Sequence, residues 1–128
     1  AHSNIYDPRY VVVVDESLLE TVDVTSGLKE DGAILINTER PKEEIIPHLK
    51  GYKGAVYTID ARKISLAALG KYFPNTPLLA AIVKVAQIMD KDTFLREMRA
   101  SFHHKFANKP EVIEGNMKAL EMAFEEVH

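Results

Sequence analysis

The chain has 128 residues, 46% hydrophobic and 27% charged, a composition that predicts one soluble domain with a substantial core. Its formal net charge of −3 offers no broad basic surface of the kind that binds nucleic acid. The absence of cysteine excludes disulfides, and it excludes an iron–sulfur cluster or a thiolate zinc site built by this chain alone. No apolar run approaches the roughly 20 residues that span a membrane, and we expect a cytoplasmic protein.

The first half of the chain alternates apolar runs with helix signals, which is the pattern of a parallel α/β sheet. Three of the runs are predicted strands, at residues 10–14, 33–37 and 55–60. The first consists entirely of apolar residues, so we expect it to be buried on both faces at the centre of the sheet. Three strands are few for so many apolar residues, and we expect that a strand of the domain lies upstream of this sequence.

Short helices are predicted between the strands. Ser17 begins a capping-box pattern, so a helix is expected to start there and to close at Gly27. A turn is predicted at residues 30–32, and a second helix is expected to begin at Pro41 and to stop at Gly51. These connections suit parallel strands joined by right-handed crossovers.

After the third strand the sequence predicts helices only, over residues 62–72, 76–89, 92–104 and 110–127. The second of these opens on a polar pair, in which Asn75 or Thr76 would cap the free amide groups and Pro77 fits the first turn.

The last helix carries a continuous apolar stripe. Its members recur at intervals of four and three residues: Ile113, Met117, Leu120, Phe124 and Val127. Such a stripe is expected to pack against another surface.

Polar residues follow each predicted strand, at the edge of an open α/β sheet where ligands bind. Asp15, Ser17 and Asp60 lie at these ends, and the loop of Asn75 and Thr76 is expected to approach the same rim. One interpretation is a polar crevice, in which the two acids hold a cation or a magnesium-bound phosphoryl group. The other is that these residues only cap helices and close loops, and we favour it for Ser17, Asn75 and Thr76.

The histidines form no catalytic or metal-binding pattern. His103 and His104 are adjacent, so on a helix they point about 100° apart and do not chelate as residues four apart do. His48 is isolated and is predicted to lie on a helix surface. The sequence has no Gly-rich phosphate loop, no G-x-S-x-G elbow and no Cys–His pair, so no catalytic residue or metal ligand is assigned.

Several segments, taken in order, resemble the gamma subunit of the pyruvate and related 2-oxoacid:ferredoxin oxidoreductases. They are residues 5–8 before 11–19, residues 27–32 before 34–38, and then residues 59–61, 75–79 and 105–106. Two departures stand out: the family carries Gly where this chain has Ala80, and it begins with a strand, a Gly-rich turn and a charged segment that are not found here. The chain resembles the C-terminal two-thirds of such a subunit, as one gamma-type domain over residues 1–128.

The resemblance implies a Rossmann-like, three-layer α/β fold with a parallel sheet, three strands of which lie in this chain, and a helical C-terminal half. It implies a non-catalytic subunit of an enzyme that cleaves a 2-oxoacid, pyruvate in our prediction, with coenzyme A while reducing ferredoxin. Alpha, beta and delta-type subunits would be its partners, and the complex would hold thiamine diphosphate, magnesium and iron–sulfur clusters mainly in those subunits. The Gly-rich turn, the expected phosphate contact for coenzyme A, is the part missing here.

Two other functions fit the residues. An interaction module without redox chemistry would use the stripe on the last helix and bind partners that lack both cofactors. A receiver-like signalling domain would place Asp15 and Asp60 in a magnesium pocket, but it needs two further strands that the sequence after Asp60 does not predict. A subunit lacking a strand is also expected to associate with itself through an open sheet edge.

Overall fold

Three parallel strands form the sheet of this protein, whose computed structural model describes residues 9–128. The strands are β1 (Tyr10–Val13), β2 (Ala33–Asn37) and β3 (Ala55–Ile59), in the spatial order β1-β2-β3. In the parallel register Val12 lies beside Leu35, and Leu35 lies beside Tyr57. The predicted α/β class with a parallel sheet is confirmed. Residues 5–8, which carry part of the family resemblance, lie outside the described residues.

Helices supply the remaining layers. They are α1 (Lys42–Ile45), α2 (Ala61–Leu69), α3 (Asn75–Val85), α4 (Lys91–Lys105) and α5 (Pro110–Glu126), with 3-10 turns at Glu16–Glu20 and Ile46–His48. After β3 the chain forms helices and no further strand up to residue 128, as the sequence predicted. No helix among residues 9–128 combines the length and apolar composition that a bilayer span requires.

The sheet separates two hydrophobic clusters, because successive side chains of a strand point to opposite faces. On β2, Leu35 faces α2–α5, whereas Ile34 and Ile36 face α1 and the 3-10 turn that follows β1. β2 is buried along its whole length, so it is the central strand. Ala80, where the family resemblance expects glycine, is fully buried in the larger cluster, which accommodates its methyl group.

The apolar stripe of α5 belongs to the protein's own core. Ile113, Met117, Leu120 and Val127 are buried, and Phe124 is half-buried. α5 contacts α2, α3 and α4, and all three contribute to the larger cluster. The prediction that the stripe packs against a surface is confirmed, and that surface is the rest of the same chain. The stripe therefore gives no support to a separate interaction module.

Within the described residues β1 is an edge strand, and the upstream strand that the sequence predicts beside it is not among them. Val11 and Val13 pack towards the smaller cluster, but Tyr10 and Val12 are 38% and 40% exposed. Val12 shares the face of its partner Leu35, where α3 packs mainly on β2 and β3. One face of β1 is therefore left open to solvent.

The turn after β1 starts with a different cap from the one expected. It is a 3-10 turn beginning at Glu16 and capped by Asp15, whose carboxylate accepts the Ser17 N–H at 3.0 Å. Ser17 does not cap a helix, because the preceding aspartate supplies the acceptor. Gly27 has the left-handed φ of 79°, but it lies in a separate turn over residues 25–28.

The boundary between α2 and α3 also differs from the prediction. α2 ends earlier, because Gly70 adopts the left-handed φ of 74° that commonly terminates a helix. The prediction that Asn75 or Thr76 caps α3 is wrong, since Pro74 occupies the cap position and no side chain caps the first turn. Pro77 fits within that turn, as predicted.

The last residue pairs with the outer side of β3. The Thr58 N–H donates to the His128 carbonyl at 2.7 Å, and the His128 N–H donates to the Thr58 carbonyl at 3.1 Å. Such a reciprocal exchange is a strand-like bridge. β3 is therefore partly paired at its outer edge, whereas within residues 9–128 no strand pairs with the outer edge of β1.

Candidate functional site

Asn37 fixes the polar rim at the carboxyl ends of the strands. It is the last residue of β2 and only 8% exposed. Its Nδ2 donates to the Val14 carbonyl at 3.1 Å, and its Oδ1 accepts the Ala61 N–H at 3.0 Å. One side chain therefore ties the end of β1 and the start of α2 to the end of β2.

A cleft of 330 Å³ opens at this rim, and we refer to it as the rim cleft. It is lined by residues 14–16 after β1, residues 37–39 at the end of β2, and Asp60, Arg62 and Tyr72 after β3. Two adjoining clefts of 310 and 360 Å³ both include Arg40. The three strand ends thus meet around one polar surface, the geometry that the α/β fold assigns to ligand sites.

Glu16 is already paired within the rim. Its Oε2 accepts from Thr38 Oγ1 at 2.9 Å and lies 3.2 Å from Nε of Arg40. Thr38 Oγ1 in turn accepts the Arg40 N–H at 3.0 Å. Both charged side chains are partly exposed, so the ion pair adds at most about 1 kcal/mol to stability. Glu16 is consequently not a free carboxylate that could act as a base.

The two acids at the strand ends serve as caps. Asp15 accepts the Ser17 N–H at 3.0 Å and Asp60 accepts the Lys63 N–H at 2.9 Å, so each carboxylate is turned to its own helix start. β1 and β3 flank β2, which puts their axes about 10 Å apart at the usual strand spacing. Among residues 9–128, no group of three or more His, Cys, Asp or Glu residues could hold a metal ion. The magnesium-pocket interpretation gains no geometric support from this part of the chain.

The pKa of the Asp15 carboxyl is lowered from its ordinary value of 3.8, first by the backbone N–H of Ser17 and then by the Ser17 side chain. A group with a lowered pKa in the folded state adds stability above its unfolded-state pKa, and this stability is lost as the pH falls through the folded-state value. We therefore expect Asp15→Asn, which keeps the acceptor oxygen, to lose less stability than wild type between about pH 5 and pH 2 in thermal unfolding. Identical profiles for Asp15→Asn and wild type would contradict the cap.

Arg62 and Tyr72 form a wall of the rim cleft that sequence patterns did not reveal as a pair. The Arg62 guanidinium carbon lies 5.6 Å from the centroid of the Tyr72 ring, within the range of a cation–π contact. The sequence predicts these two residues at opposite ends of one helix over residues 62–72. Gly70 could have indicated this arrangement, because a helix that ends at this glycine directs the following residues, including Tyr72, back over the rim.

The five residues proposed from the sequence do not form one group. Asp15 and Asp60 line the rim cleft, and Ser17 lines the adjoining cleft of 360 Å³. Thr76 is buried elsewhere, where its Oγ1 donates to Oδ1 of Asn116 at 2.9 Å. Asn75 is exposed at the start of α3 and does not line the rim cleft.

The histidines offer no accessible catalytic arrangement in the described residues. His103 and His104 are exposed in the last turn of α4, and His48 is exposed in the 3-10 turn after α1. His128 Nε2 lies 3.4 Å from Thr58 Oγ1, but Thr58 is 2% exposed and out of reach of a substrate. The rim cleft is therefore a polar binding surface whose acids are engaged in caps and an ion pair.

Comparison with known proteins extends the likeness over almost the whole chain. Residues 1–126 match the family model described as pyruvate ferredoxin/flavodoxin oxidoreductase. The common subunit gamma of the pyruvate/ketoisovalerate oxidoreductases of Pyrococcus abyssi is 40% identical over 123 residues, which are 96% of this chain and 63% of that protein. The pyruvate synthase subunit PorC of Thermotoga maritima is 36% identical over 125 residues, which are 98% of this chain and 63% of that protein.

A solved structure supports the same relationship. The crystal structure of the pyruvate oxidoreductase subunit PORC from Thermotoga maritima has a TM-score of 0.80 and 34% identity, covering 95% of this chain and 65% of that one. The present chain spans about 63% of the length of the curated relatives named above. The likeness that the order of sequence segments predicted is confirmed. The chain belongs to the pyruvate ferredoxin/flavodoxin oxidoreductase family.

Proposed function

We propose that this chain is a non-catalytic, gamma-type component of a cytoplasmic 2-oxoacid:ferredoxin oxidoreductase. The complex would convert a 2-oxoacid, pyruvate in our proposal, and coenzyme A into acyl-coenzyme A and CO2, and would pass the electrons to ferredoxin. The observation that carries this proposal is the match to the family over residues 1–126, together with the gamma-subunit names of the relatives. The component would act through assembly with alpha, beta and delta-type subunits.

The side chains that could act as ligands in this chain favour binding of the cofactors by other subunits of such a complex. Iron–sulfur clusters are held by cysteine thiolates, and this chain has no cysteine. Thiamine diphosphate is accompanied by magnesium, but Asp15, Glu16 and Asp60 are committed to caps and an ion pair. The residues at the rim therefore do not fit these groups, and we assign them to the other subunits.

The open side of β1 is the surface through which we propose that the component assembles. Its outer edge has no strand partner in the described chain, and Tyr10, Val12 and Val14 are 38%, 40% and 47% exposed. Unpaired edges with apolar side chains pair readily with other strands. We thus propose that residues 1–128 form one gamma-type domain in which a further strand pairs with the outer edge of β1. When that strand is absent, a second copy of the same chain would pair with this edge.

The proposal is tested by isolating the protein anaerobically from its host and recording its native mass spectrum, with iron and thiamine diphosphate measured on the same sample. We expect recovery with larger subunits that carry both cofactors. Recovery alone, or with partners that lack both cofactors, would overturn the oxidoreductase proposal and favour an unrelated interaction module.

Charges placed on β1 and on the residue that follows it test the proposed assembly surface. We expect the double variant Val12→Lys and Val14→Lys to reduce recovery of the complex, and any self-association of the isolated chain, by about tenfold, because lysine on an edge strand opposes pairing. The measurement is native mass spectrometry, with analytical ultracentrifugation for the isolated chain. Leu66→Lys is the matched control, since Leu66 is 44% exposed on α2. If the double variant and the control reduce recovery of the complex equally, β1 is not the assembly surface.

A further inference from the structure

A second cleft lies among the helices, away from the strand ends, and we call it the α2/α5 cleft. Its volume is 490 Å³, within the range of protein binding sites. The end of α2, the residues just after it and the first turns of α5 surround the opening. None of the residues proposed from the sequence as site candidates lines it.

The backbone sets the shape of this cleft. A Cβ at Gly115 of α5 would lie 2.9 Å from the Ala68 carbonyl oxygen of α2, so the two helices meet there at closest approach. α2 then ends at Gly70, whose left-handed conformation turns the chain away through Lys71 and Phe73. The cleft is the space left where the helices separate.

The walls of the α2/α5 cleft are apolar and continuous with the core. Phe73 is 41% exposed on one side, and Leu69, Phe106 and Val112 also line the opening. The Phe106 ring lies 6.1 Å, centroid to centroid, from the buried ring of Phe102. An apolar side chain entering the cleft would therefore extend the hydrophobic core and lose contact with water.

The polar group on the floor of the cleft is already satisfied. Asn116 is 7% exposed, its Oδ1 accepts from Thr76 Oγ1 at 2.9 Å, and its Nδ2 donates to the Val112 carbonyl at 2.9 Å. A small polar ligand would find little hydrogen-bonding capacity in the floor. The interior thus favours an apolar group, and specificity must come from the mouth.

The mouth of the cleft is positively charged. Lys71 and Lys109 line it, and Glu111 is the acid among the lining residues. The Lys71 ammonium lies 6.0 Å from the Phe73 centroid, and that of Lys105 lies 5.8 Å from the Phe106 centroid. In residues 9–128 the ion pairs involve other cations, and no carboxylate pairs with these three lysines. On a chain with a net charge of −3, this is a local excess of positive charge.

We propose that the α2/α5 cleft docks a short acidic segment of a partner polypeptide. An aromatic or aliphatic side chain of the segment would enter between Phe73 and Phe106, and its carboxylates would meet Lys71, Lys105 and Lys109. Charge complementarity of this kind sets the choice of partner and the rate of association. The inference goes beyond the proposed function and does not depend on it, because the contacts of this cleft alone carry it.

Two isosteric peptides provide the test, titrated into the ¹⁵N-labelled full chain and followed by NMR: acetyl-Glu-Phe-Asp-Glu-Leu-Asp-amide and its neutral counterpart acetyl-Gln-Phe-Asn-Gln-Leu-Asn-amide. We expect shifts of the Gly115 and Asn116 amides, and about tenfold tighter binding of the acidic peptide at low salt, a difference that shrinks at high salt. No binding of the acidic peptide, shifts confined to other surfaces, or equal affinity for both peptides would overturn the proposal.

Matched variants separate the role of the charges from that of the apolar wall. The double variant Lys71→Glu and Lys109→Glu should weaken the acidic peptide about tenfold and leave the neutral one unchanged, whereas Phe73→Ala should weaken both. Lys50→Glu with Lys53→Glu, two exposed lysines after α1, is the charge-matched control and should change neither affinity. Equal losses in the two charge variants would show a general charge effect and contradict docking at this cleft. Because the assay uses only the purified chain and peptides, its failure would leave the result on complex assembly untouched.

Discussion

Replacing Leu120 by alanine is expected to lower the free energy of unfolding by about 2–5 kcal/mol. Leu120 is fully buried on α5, in the cluster that α2, α3 and α4 share. The loss combines the transfer free energy of the removed methyl groups with the cost of a cavity that three packed helices cannot fill. Urea denaturation followed by circular dichroism measures it.

The control for this substitution is Leu66→Ala. Leu66 lies on α2 and is 44% exposed, so the same change should cost no more than about 0.5 kcal/mol. A cost below about 1 kcal/mol for Leu120→Ala would contradict the central position of α5 in the core.

Replacing Asn37 by leucine is the second large effect expected. The side chains are similar in size, but leucine neither donates to the Val14 carbonyl nor accepts the Ala61 N–H, and Ala61 is fully buried. An orphaned buried donor costs about 1–3 kcal/mol and a lost hydrogen bond about 0.5–1.5 kcal/mol, so we expect about 1.5–4.5 kcal/mol in total. Chemical denaturation gives this value, and hydrogen exchange at the Ala61 amide should accelerate.

Asn75→Leu makes the same substitution at an exposed residue and should change stability by no more than about 0.5 kcal/mol. The same variant also tests whether Asn75, proposed from the sequence as a crevice residue, has a structural role. Unchanged protection of the Ala61 amide in Asn37→Leu would mean that the rim does not depend on this side chain.

The parts of the fold that the sequence predicted well are those whose signal is local. β2 is a short apolar run, and α5 carries a stripe of helical period, so their burial follows from their own residues. The position of β1 depends on what covers it, and five apolar residues in a row look the same in a central strand as at an uncovered edge. Aspartate and serine are both good capping residues, so the sequence alone does not decide between Asp15 and Ser17. The path of the chain places Asp15 at the cap position.

The candidate site was predictable only in part, for a similar reason. The carboxyl ends of parallel strands must share one rim, so Asp15 and Asp60 could be placed there from the sequence. Tyr72 and Arg40 reach the rim through loops, whose paths leave no periodic pattern. The α2/α5 cleft was missed because it depends on where α2 stops, and the left-handed Gly70 was not recognised as that stop.

The place of α5 in the chain has a consequence for synthesis on the ribosome. Polypeptide is made from the N-terminus, and α5 is the last of the helices that enclose the larger cluster. Until it leaves the exit tunnel, the apolar faces of α2, α3 and α4 lack the helix that packs against all three. The nascent chain should therefore bind chaperones up to this point and become protease-resistant once α5 has left the exit tunnel. Stalling translation at successive lengths would show this as one sharp step.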